Sequence, residues 1–510
     1  MKKITLLLIT IFFSLQIFAG NFVMLKIENQ HNLRDLFSRD DIIIHYYNDN
    51  FVLATVDNIT KDMIVLDENS FSSNERYYII YCDKNSQQNY IEREKENAEV
   101  LFVSEHFLIV KPLNYNLKPA KNDGMVAISN RKAKMPEARR NFPTITAENA
   151  NVKNFIDQVS IENLTSTVEY LQSLENRYYN SPKAFEAANW ILTQFDNMEV
   201  FETESFPFEY GGEDSSPNII AIQYGTKYPD EYIVCGSHLD SYSYSGMCPG
   251  ADDNATGVAT VLETARILSQ YEFERSIIYC AFSAEEMGLI GSGEYAAYCS
   301  ETMGYDILAY FNNDMNGYLN PGDEIHIDLV YPNSAETLGN YYMNVASVYI
   351  PDIEVTPNEL ENGLDSDHTS FNHNGYMGIF PFEDVVNYSP YIHSGSDVIG
   401  TSVNSFEQSK IFTQMNIACI AHLANYVDPN TIGENVKNTV SVYPNPVKDI
   451  LTIESDYSDV NEVQIVNTLG QLVKELTFEG QAEVNVKDLK SGIYFVKIFG
   501  NNIVKKIIVE

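Results

Sequence analysis

The segments that decide the fold of this 510-residue chain are V-C-G-S-H-L-D-S at residues 234–241 and P-G-A-D-D-N-A-T-G at residues 249–257. An apolar run from Tyr232 to Cys235 lies in front of the functional side chains and is typical of a buried strand in a parallel sheet. After Gly257 the apolar residues recur at helical spacing, which predicts a helix. His238 and Asp252 therefore flank a strand–loop–helix turn at the carboxyl edge of an α/β sheet, where such folds bind ligands.

Three more apolar runs are each followed by a side chain that can bind a metal. The run at residues 276–282 is followed by S-A-E-E at residues 283–286, and the run at residues 307–313 is followed by an aspartate. The run at residues 377–382 is followed by P-Y-I-H-S-G-S-D, which contributes a histidine. The candidate metal ligands are therefore His238, Asp252, Glu286, Asp314 and His393.

Two imidazoles and three carboxylates form a ligand set that suits zinc better than calcium or a thiolate-bound metal. If one carboxylate bridges two metals, each metal receives one histidine, one carboxylate of its own and the shared one. Three carboxylates and one hydroxide also balance the charge of two zinc ions. Glu285 lies next to Glu286 in the sequence but is not needed as a ligand, so it is free to act as a base.

Each of these groups, taken alone, has an ordinary structural explanation. A histidine after a strand can be a satisfied surface group, and residues 252–254 can form a turn that caps a helix. Glu285 and Glu286 can begin a solvated helix. The presence of all five candidates in one order, each after a strand, favours the metal site.

These motifs resemble those of peptidase family M28, and within it the secreted bacterial leucyl-type aminopeptidases. The resemblance covers roughly residues 161–427 and implies a three-layer α/β/α zinc-peptidase domain with a mixed central sheet. It also implies two zinc ions as cofactors. His238 and Asp314 would bind one ion, and Glu286 and His393 the other.

The same resemblance assigns roles to three further residues. Asp252 would bridge the two metals, and a cis peptide bond would follow it, between Asp252 and Asp253. Glu285 would be the general acid and base. Asp240 would hold a ligand imidazole in its tautomer.

The resemblance implies a hydrophobic pocket for the first side chain of a peptide substrate. Phe380 and Phe382 alternate along one strand and therefore point to the same face, although plain strand core is an alternative. We expect apolar first residues to be preferred. The positions that match the pocket are Met315, Phe380, Phe382, Tyr388 and Ile392.

One region departs from the family pattern. Leucyl-type relatives often carry a Cys-x3-Cys disulfide before S-D-H-T-S-F, with a tyrosine between the cysteines that helps to polarise the substrate carbonyl. The corresponding positions here are Glu361, Gly363 and Asp365. The disulfide is therefore absent, and a polarising tyrosine is missing or comes from elsewhere.

Composition restricts the partners. The net charge of −38 argues against nucleic acid and anionic lipid. Six scattered cysteines do not form a disulfide framework, and we expect Cys235 and Cys280 to be buried thiols.

Residues 1–20 resemble a signal peptide, with two lysines before a short apolar run and no later membrane span. These features predict a secreted protein, extracellular or at the cell surface, without a transmembrane anchor.

Two segments precede the peptidase domain, which we place at residues 151–430. Residues 21–118 alternate strand-like runs, such as residues 100–112, with polar turns, and we interpret them as a prodomain. Residues 119–150 carry a basic cluster in an acidic protein. That segment is either a solvated linker or a processing region whose cleavage activates a zymogen.

The C-terminal segment, residues 437–510, is strand-rich and contains Y-P-N-P, L-G-Q-L-V and S-G-I-Y-F-V. It resembles the sorting domain of type IX secretion substrates, a small β-sandwich. The resemblance implies that the outer-membrane secretion machinery is a partner. A carbohydrate-binding or spacer module of immunoglobulin-like shape is the alternative.

The sequence thus predicts a di-zinc aminopeptidase that acts on peptides with a free N-terminus. One alternative is a single-zinc glutaminyl cyclase of the same fold. Another is a carboxypeptidase, which the absence of Lys and Arg between Arg275 and Lys410 disfavours. A non-catalytic surface protein on a peptidase fold is the third.

Overall fold

The computed structural model describes residues 20–27, 29–68, 71, 76–82, 84–113, 117–119, 124–137, 141–244, 246–359, 364–427, 440–455, 461–467, 471–478, 480–499 and 503–509. The predicted signal peptide lies outside the described residues except for Gly20, and so do Glu361 and Gly363. Within the described residues the chain forms two compact units. One comprises residues up to 224 with 232–271 and 277–424, and the other comprises 225–231, 272–276 and 425–510.

The N-terminal part of the first unit consists of two four-stranded antiparallel sheets with two helices. One sheet has the order β2-β3-β1-β4 and the other β6-β7-β5-β8. Residues 100–112, predicted as one strand-like run, form parts of a hairpin of two strands. The elements are β1 (Asn21–Lys26), α1 (Gln30–Phe37), β2 (Ile42–Tyr47), β3 (Phe51–Val56), β4 (Met63–Asp67), β5 (Tyr77–Tyr81), α2 (Lys84–Glu94), β6 (Ala98–Val103), β7 (Phe107–Pro112) and β8 (Met125–Ile128).

The boundary predicted at residue 118 is wrong, because β8 lies inside the predicted linker. Met125 and Val126 pair with Ile80 and Ile79 of β5, and both are buried. A four-residue apolar run surrounded by polar and basic residues is a weak signal in the sequence, and pairing with β5 makes it a strand. The N-terminal domain therefore extends at least to Ile128.

The rest of the first unit is built on an eight-stranded sheet of order β17-β16-β18-β15-β13-β14-β12-β9. The pairs β15–β18 and β16–β17 are parallel, whereas β12–β14, β12–β9 and β16–β18 are antiparallel, so the sheet is mixed. The elements are α3 (Ala150–Ile156), α4 (Ile161–Ser173), α5 (Pro182–Asp196), β9 (Glu202–Phe206), β10 (Glu209–Tyr210), β11 (Glu213–Asp214), β12 (Asn218–Gln223), β13 (Tyr228–His238), α6 (Gly257–Leu268), β14 (Arg275–Phe282), α7 (Ile290–Ala297), β15 (Asp306–Asn312), β16 (His326–Tyr331), α8 (Glu336–Tyr349), β17 (Glu354–Glu359), α9 (Asp367–His373), β18 (Gly378–Phe382) and α10 (Phe406–Ala424). Short π-helical turns span Ala251–Thr256 and Tyr298–Met303, and a 3₁₀ turn spans Asn333–Ala335.

This sheet is covered by helices, which gives the three-layer α/β/α architecture. Alternate residues of a strand point to opposite faces. Val234 of β13 and Cys280 of β14 pack in one cluster with residues of α7 and α9. Helices α3, α4 and α6 contact α10, whose apolar residues are buried along most of its length. The central strands are therefore inaccessible, and the loops after them carry the polar side chains.

The C-terminal part of the second unit is a β-sandwich. Antiparallel sheets of order β19-β20-β23 and β22-β21-β24-β25 contribute to one hydrophobic core that includes Leu451, Val463 and Val496. The strands are β19 (Val440–Tyr443), β20 (Ile450–Ser455), β21 (Asn461–Asn467), β22 (Leu472–Phe478), β23 (Gln481–Asn485), β24 (Gly492–Phe499) and β25 (Ile503–Val509).

The six cysteines are all buried, and Cys235 and Cys280 are free thiols, as expected. Burial raises the pKa of the Cys235 thiol to about 12, so this side chain behaves as a small apolar group. Among the described residues, none of the helices combines the length and the apolar character needed to cross a membrane.

Candidate active site

The candidate site lies where four neighbouring strands of the central sheet end. His238 is the last residue of β13, and Asp253 lies in the turn that begins at Ala251. Glu286 follows β14, and Asp314 follows β15. His393 lies in the loop after β18 and has a positive φ of 51°. The strands β18, β15, β13 and β14 are consecutive in the sheet, so these loops converge.

Two groups of ligand atoms share one carboxylate. Nε2 of His238 lies 3.2 Å from Oδ1 of Asp253 and 3.3 Å from Oδ1 of Asp314. Nε2 of His393 lies 3.1 Å from Oδ2 of Asp253 and 3.0 Å from Oε2 of Glu286. All five side chains are buried. The structure therefore brings together four of the five predicted ligands, with Asp253 between the two pairs.

The prediction that Asp252 bridges the two pairs is wrong. Asp252 is fully buried, but its Oδ1 accepts the N–H of Gly317 at 2.9 Å instead of facing the histidines. The carboxylate of Asp397 accepts the backbone N–H groups of Asp252 and Asp253 at 2.9 and 3.1 Å, which fixes the turn. Asp253 has non-helical dihedral angles of φ −109° and ψ 86°, so the two consecutive carboxylates point in different directions.

The cis peptide bond also lies one residue later than predicted. It joins Asp253 to Asn254, whereas the prediction placed it between Asp252 and Asp253. In both cases the cis bond directly follows the aspartate in the shared position. Both differences have one origin, because the sequence does not show which of the two consecutive aspartates enters the site.

The hydrogen bonds around His238 leave one ring nitrogen facing only carboxylate oxygens. Its Nδ1 lies 3.2 Å from the main-chain carbonyl oxygen of Asp240, so Nδ1 carries the proton that this bond needs. In the neutral ring, the lone pair of Nε2 therefore points at carboxylate oxygens, which is an arrangement that a cation satisfies. The buried Oε1 of Glu286 has no hydrogen-bond partner among the described residues, which agrees with this interpretation. The residues present fit zinc, which takes imidazole and carboxylate ligands.

Asp240 acts on both sides of the site. Its carbonyl oxygen accepts from the His238 ring, and its carboxylate Oδ1 lies 3.6 Å from the same nitrogen. The carboxylate oxygens accept the N–H groups of Glu285 at 3.1 Å and of Glu286 at 3.4 Å. The predicted contact with the imidazole thus involves the main chain, and the Asp240 side chain instead holds the backbone of the two glutamates.

The accumulated negative charge shifts several pKa values. Burial lowers the pKa of His238, but its carboxylate neighbours, Asp314 foremost, raise it well above the usual value. Burial raises the pKa of Glu286 to about 7, and the charge of Asp253 adds to that effect. The pKa of Glu285 is also raised well above its usual range, mainly by burial. Burying several carboxylates close together is costly unless positive charge lies among them.

Glu285 is not part of either ligand group. Its side chain is 13% exposed, and its Oε2 lies 4.0 Å from Nε2 of His238. It lines a cavity of about 630 Å³ together with the ligand residues. A carboxylate that is open to this cavity and next to the ligand groups can accept a proton from a reacting molecule.

The predicted pocket residues line the same cavity and form one apolar cluster. Met315, Phe380, Phe382 and Ile392 pack together, and Tyr388 packs against them. The rings of Phe380 and Phe382 have centroids 4.9 Å apart. The cavity therefore has an apolar side adjoining the ligand groups.

Several residues around the site were not predicted. Ser366 donates a hydrogen bond of 2.7 Å to Oδ2 of Asp314, which leaves Oδ1 for the ligand group. Tyr81, Gly124 and Met125 of the N-terminal domain also line the cavity. Ser366 opens the S-D-H-T-S-F motif, which was a usable signal, whereas nothing near the N-terminal residues pointed to the site.

Two segments of the chain match known protein families. The family model "Peptidase family M28" matches residues 218–412, and the model "Secretion system C-terminal sorting domain" matches residues 441–510. A probable leucine aminopeptidase of Trichophyton verrucosum is 30% identical over 274 residues, which cover 51% of this chain and 72% of the relative. Two solved structures from Legionella pneumophila share the fold. LapB has a TM-score of 0.56 at 23% identity and covers 69% of this chain, and LapA aminopeptidase has 0.56 at 21% and covers 70%; each is covered in full.

These findings and the geometry of the site define a metallo-aminopeptidase, a hydrolase of peptide bonds. The chain belongs to peptidase family M28 and carries a secretion sorting domain at its C-terminus. The sorting domain indicates secretion.

Proposed function

We propose that the protein is a di-zinc aminopeptidase that releases apolar residues from the N-terminus of peptides. The observation that carries this proposal is the position of Asp253, whose two carboxylate oxygens face two different imidazoles. His238 and Asp314 would hold one zinc ion, and His393 and Glu286 the other, with Asp253 shared. Two zinc ions held in this way would supply Lewis-acid contact to the scissile carbonyl and a water of lowered pKa.

The chain's own residues supply the proton transfer. The carboxylate of Glu285 accepts a proton from the attacking water and delivers it to the nitrogen of the leaving amine. Asp240 holds the backbone of Glu285 through a hydrogen bond of 3.1 Å, which fixes the position of the base. Burial raises the pKa of Glu285, which makes its carboxylate a stronger base than a solvated glutamate.

The cavity suits a short peptide with a free amine. Its lining holds several carboxylates and, among the described residues, no Lys or Arg, so a charged α-amine finds partners and no competitor. The apolar cluster around Phe380 and Phe382 would receive the first side chain. Burying a leucine-sized side chain contributes about 1.5–3 kcal/mol, so Leu should exceed Gly by about ten- to a hundredfold in kcat/KM. An acidic first residue should be poor, because its carboxylate would be desolvated without a cation.

The test is turnover of leucyl-p-nitroanilide by the full chain, with N-acetyl-leucyl-p-nitroanilide as the matched control. We expect hydrolysis of the free-amine substrate only. Faster cleavage of the aspartyl analogue, or equal cleavage of the acetylated one, would remove the assignment. The lack of Lys and Arg in the described part of the lining also disfavours a carboxypeptidase, which must hold a terminal carboxylate.

The alternatives differ in metal content and activity. A glutaminyl cyclase would bind one zinc ion per chain, whereas the two ligand groups around Asp253 support two. A non-catalytic surface protein would hydrolyse no aminoacyl substrate. Zinc content per chain and the leucyl assay separate the three possibilities.

For the whole chain we propose export by a signal peptide at residues 1–20 and handling of residues 437–510 by the outer-membrane secretion machinery. The C-terminal match to a sorting domain supports the second step. The product would be extracellular or at the cell surface. Activation by cleavage within residues 119–150 stays a prediction, and the position of the N-terminal domain bears on it directly.

A further inference from the structure

The N-terminal domain contributes part of the cavity wall. Tyr81 is the last residue of β5, and its backbone N–H donates to the carbonyl of Gly124 at 3.1 Å. Ile80 pairs with Met125 at the start of β8. The ends of two paired strands thus present Tyr81, Gly124 and Met125 to the cavity that also holds the ligand groups and Glu285.

The loop that carries Glu285 packs against this domain. Ala284, Met287 and Ile290 share one hydrophobic core with residues of β5 and β8. The N–H of Ala127 donates to the carbonyl of Gly288 at 3.1 Å, and a Cβ on Gly288 would lie only 2.7 Å from the nitrogen of Ala127. The domain is therefore packed directly against the segment that follows Glu285 and Glu286.

Two basic residues of the predicted linker, Arg131 and Lys134, also contact the peptidase domain. Arg131 forms an ion pair of 2.6 Å with Glu294 of α7. The backbone N–H of Lys134 donates to the carbonyl of His373 at 2.7 Å, and the ring of His373 bonds to the carbonyl of Tyr47 at 2.8 Å. The segment is therefore held against the peptidase domain at Arg131 and Lys134. Arg139 and Arg140 lie outside the described residues.

Two tyrosines of the N-terminal domain hold a carboxylate at the cavity wall. Asp365 accepts hydrogen bonds from the hydroxyls of Tyr81 and of Tyr46, the latter at 3.2 Å. Its other oxygen accepts from Thr369 at 2.7 Å. Asp365 lines the cavity next to Ser366, which bonds to the candidate ligand Asp314. Burial raises the pKa of the Asp365 carboxyl, and the hydrogen bonds from Tyr81, Thr369 and Tyr46 oppose that shift. The N-terminal domain thus holds this carboxylate at the cavity wall.

The rest of the substrate must pass along this wall. In the proposed function, the first side chain occupies the apolar cluster, and the amine and the scissile carbonyl occupy the ligand groups. The lining residues that remain include Tyr81, Gly124, Met125, Pro357, Asn358 and Asp365. A carboxylate among them, with no Lys or Arg in the described lining, suits a basic side chain.

We propose that the N-terminal domain is a permanent wall of the active site. Its residues Tyr81 and Met125, together with Asp365 of the peptidase domain, contact the second residue of the substrate and favour Lys or Arg there. This inference rests on the proposed aminopeptidase function. It gives the domain a part in the reaction that a removable prodomain would not have.

The test compares the dipeptides Leu-Lys and Leu-Glu with the full-length wild type and single variants. We expect the wild type to prefer Leu-Lys by about ten- to a hundredfold in kcat/KM, the range for a hydrogen bond to a charged group. Asp365→Asn should bring the ratio near one. Gly124→Lys should lower the ratio or invert it, and a side chain has room there because no atom of the described residues lies within 4 Å of a Cβ at Gly124.

Two variants serve as matched controls. Gly124→Gln adds length without charge. Tyr78 lies in β5 like Tyr81, but its hydroxyl bonds to Tyr210 and not to Asp365, so Tyr78→Phe removes a hydroxyl that does not hold this carboxylate. Both should keep the wild-type ratio. If Asp365→Asn does not fold, the Gly124 pair still decides. An unchanged ratio in Gly124→Lys, or a wild type that prefers Leu-Glu, overturns the proposal. Failure to hydrolyse leucyl-p-nitroanilide would instead overturn the proposed function.

Limited trypsin digestion of the full chain within residues 119–150 tests the permanence of the wall. We expect the N-terminal fragment to remain bound to the rest of the chain in gel filtration and kcat/KM not to rise. Release of the fragment with a rise in kcat/KM would contradict the proposal and establish a zymogen.

Discussion

Oδ2 of Asp253 lies 3.1 Å from Nε2 of His393, while Oδ1 of the same carboxylate lies 3.2 Å from Nε2 of His238. One side chain therefore belongs to both ligand groups. Since the neighbouring Asp252 points to the N–H of Gly317, the shared role falls on Asp253 alone in this pair. Most of our predictions follow from this arrangement.

Asp253→Asn should remove zinc and activity, because an amide supplies one weaker ligand oxygen where two charged ones are needed. We expect a loss in kcat of at least about 10²-fold. Asp252→Asn is the matched control, because it should keep both zinc ions. Zinc analysis of the two purified variants decides between them. Retained zinc in Asp253→Asn, together with lost zinc in Asp252→Asn, would restore the bridge to Asp252.

Glu285→Gln should keep zinc and lower kcat by at least about 10²-fold, because general-base catalysis is lost while the ligand groups remain. Glu286→Gln is the contrasting variant, and it should lose zinc. The measurement is zinc content and steady-state turnover of leucyl-p-nitroanilide. Normal turnover by a zinc-loaded Glu285→Gln enzyme would exclude Glu285 as the base.

Ser366→Ala should weaken zinc binding by about 10- to 100-fold, because it removes the hydrogen bond that orients Asp314. Ser370→Ala is a matched control in α9, since the Ser370 hydroxyl bonds to Ser292 and to no candidate ligand. Zinc affinity can be measured by competition with a chelator. Equal affinities of the two variants would show that the Ser366 hydroxyl does not tune the site.

Acid should destabilise the fold partly through His45. Burial lowers the pKa of His45 to about 4, below the usual value of 6.5, so the unfolded chain binds more protons between these two values. The free energy of unfolding therefore falls as pH falls through that window, by up to about 1.4 kcal/mol per pH unit for this residue. The free energy of unfolding, measured with urea between pH 5 and 7, should change less steeply with pH in His45→Gln than in the wild type. His31→Gln, at an exposed position, should keep the wild-type slope.

Most of the fold could be predicted from the sequence because its signals are local. Buried strands ending in polar motifs give the central sheet, and His238, Glu286, Asp314 and His393 were found because each follows such a strand. The Asp-Asp pair was not resolvable in this way. Both residues follow the same strand, and which carboxylate points inward depends on turn dihedrals and on hydrogen bonds to Asp397, 144 residues away at the nearest.

The N-terminal wall could not be predicted for a different reason. Tyr81 and Asp365 are 284 residues apart, and no local pattern records their contact. The strand Met125–Ile128 is four residues long and becomes a strand only through β5. Long-range pairing of this kind depends on the assembled fold, so it is invisible to periodicity and spacing.

The central claim is that Asp253 bridges two zinc ions. The most direct measurement is an anomalous difference map at the zinc absorption edge from crystals of the full-length, zinc-loaded protein. Our account predicts two peaks per chain, one beside His238 and Asp314 and one beside His393 and Glu286, with one oxygen of Asp253 on each. A single peak, or two peaks joined by Asp252, would contradict it.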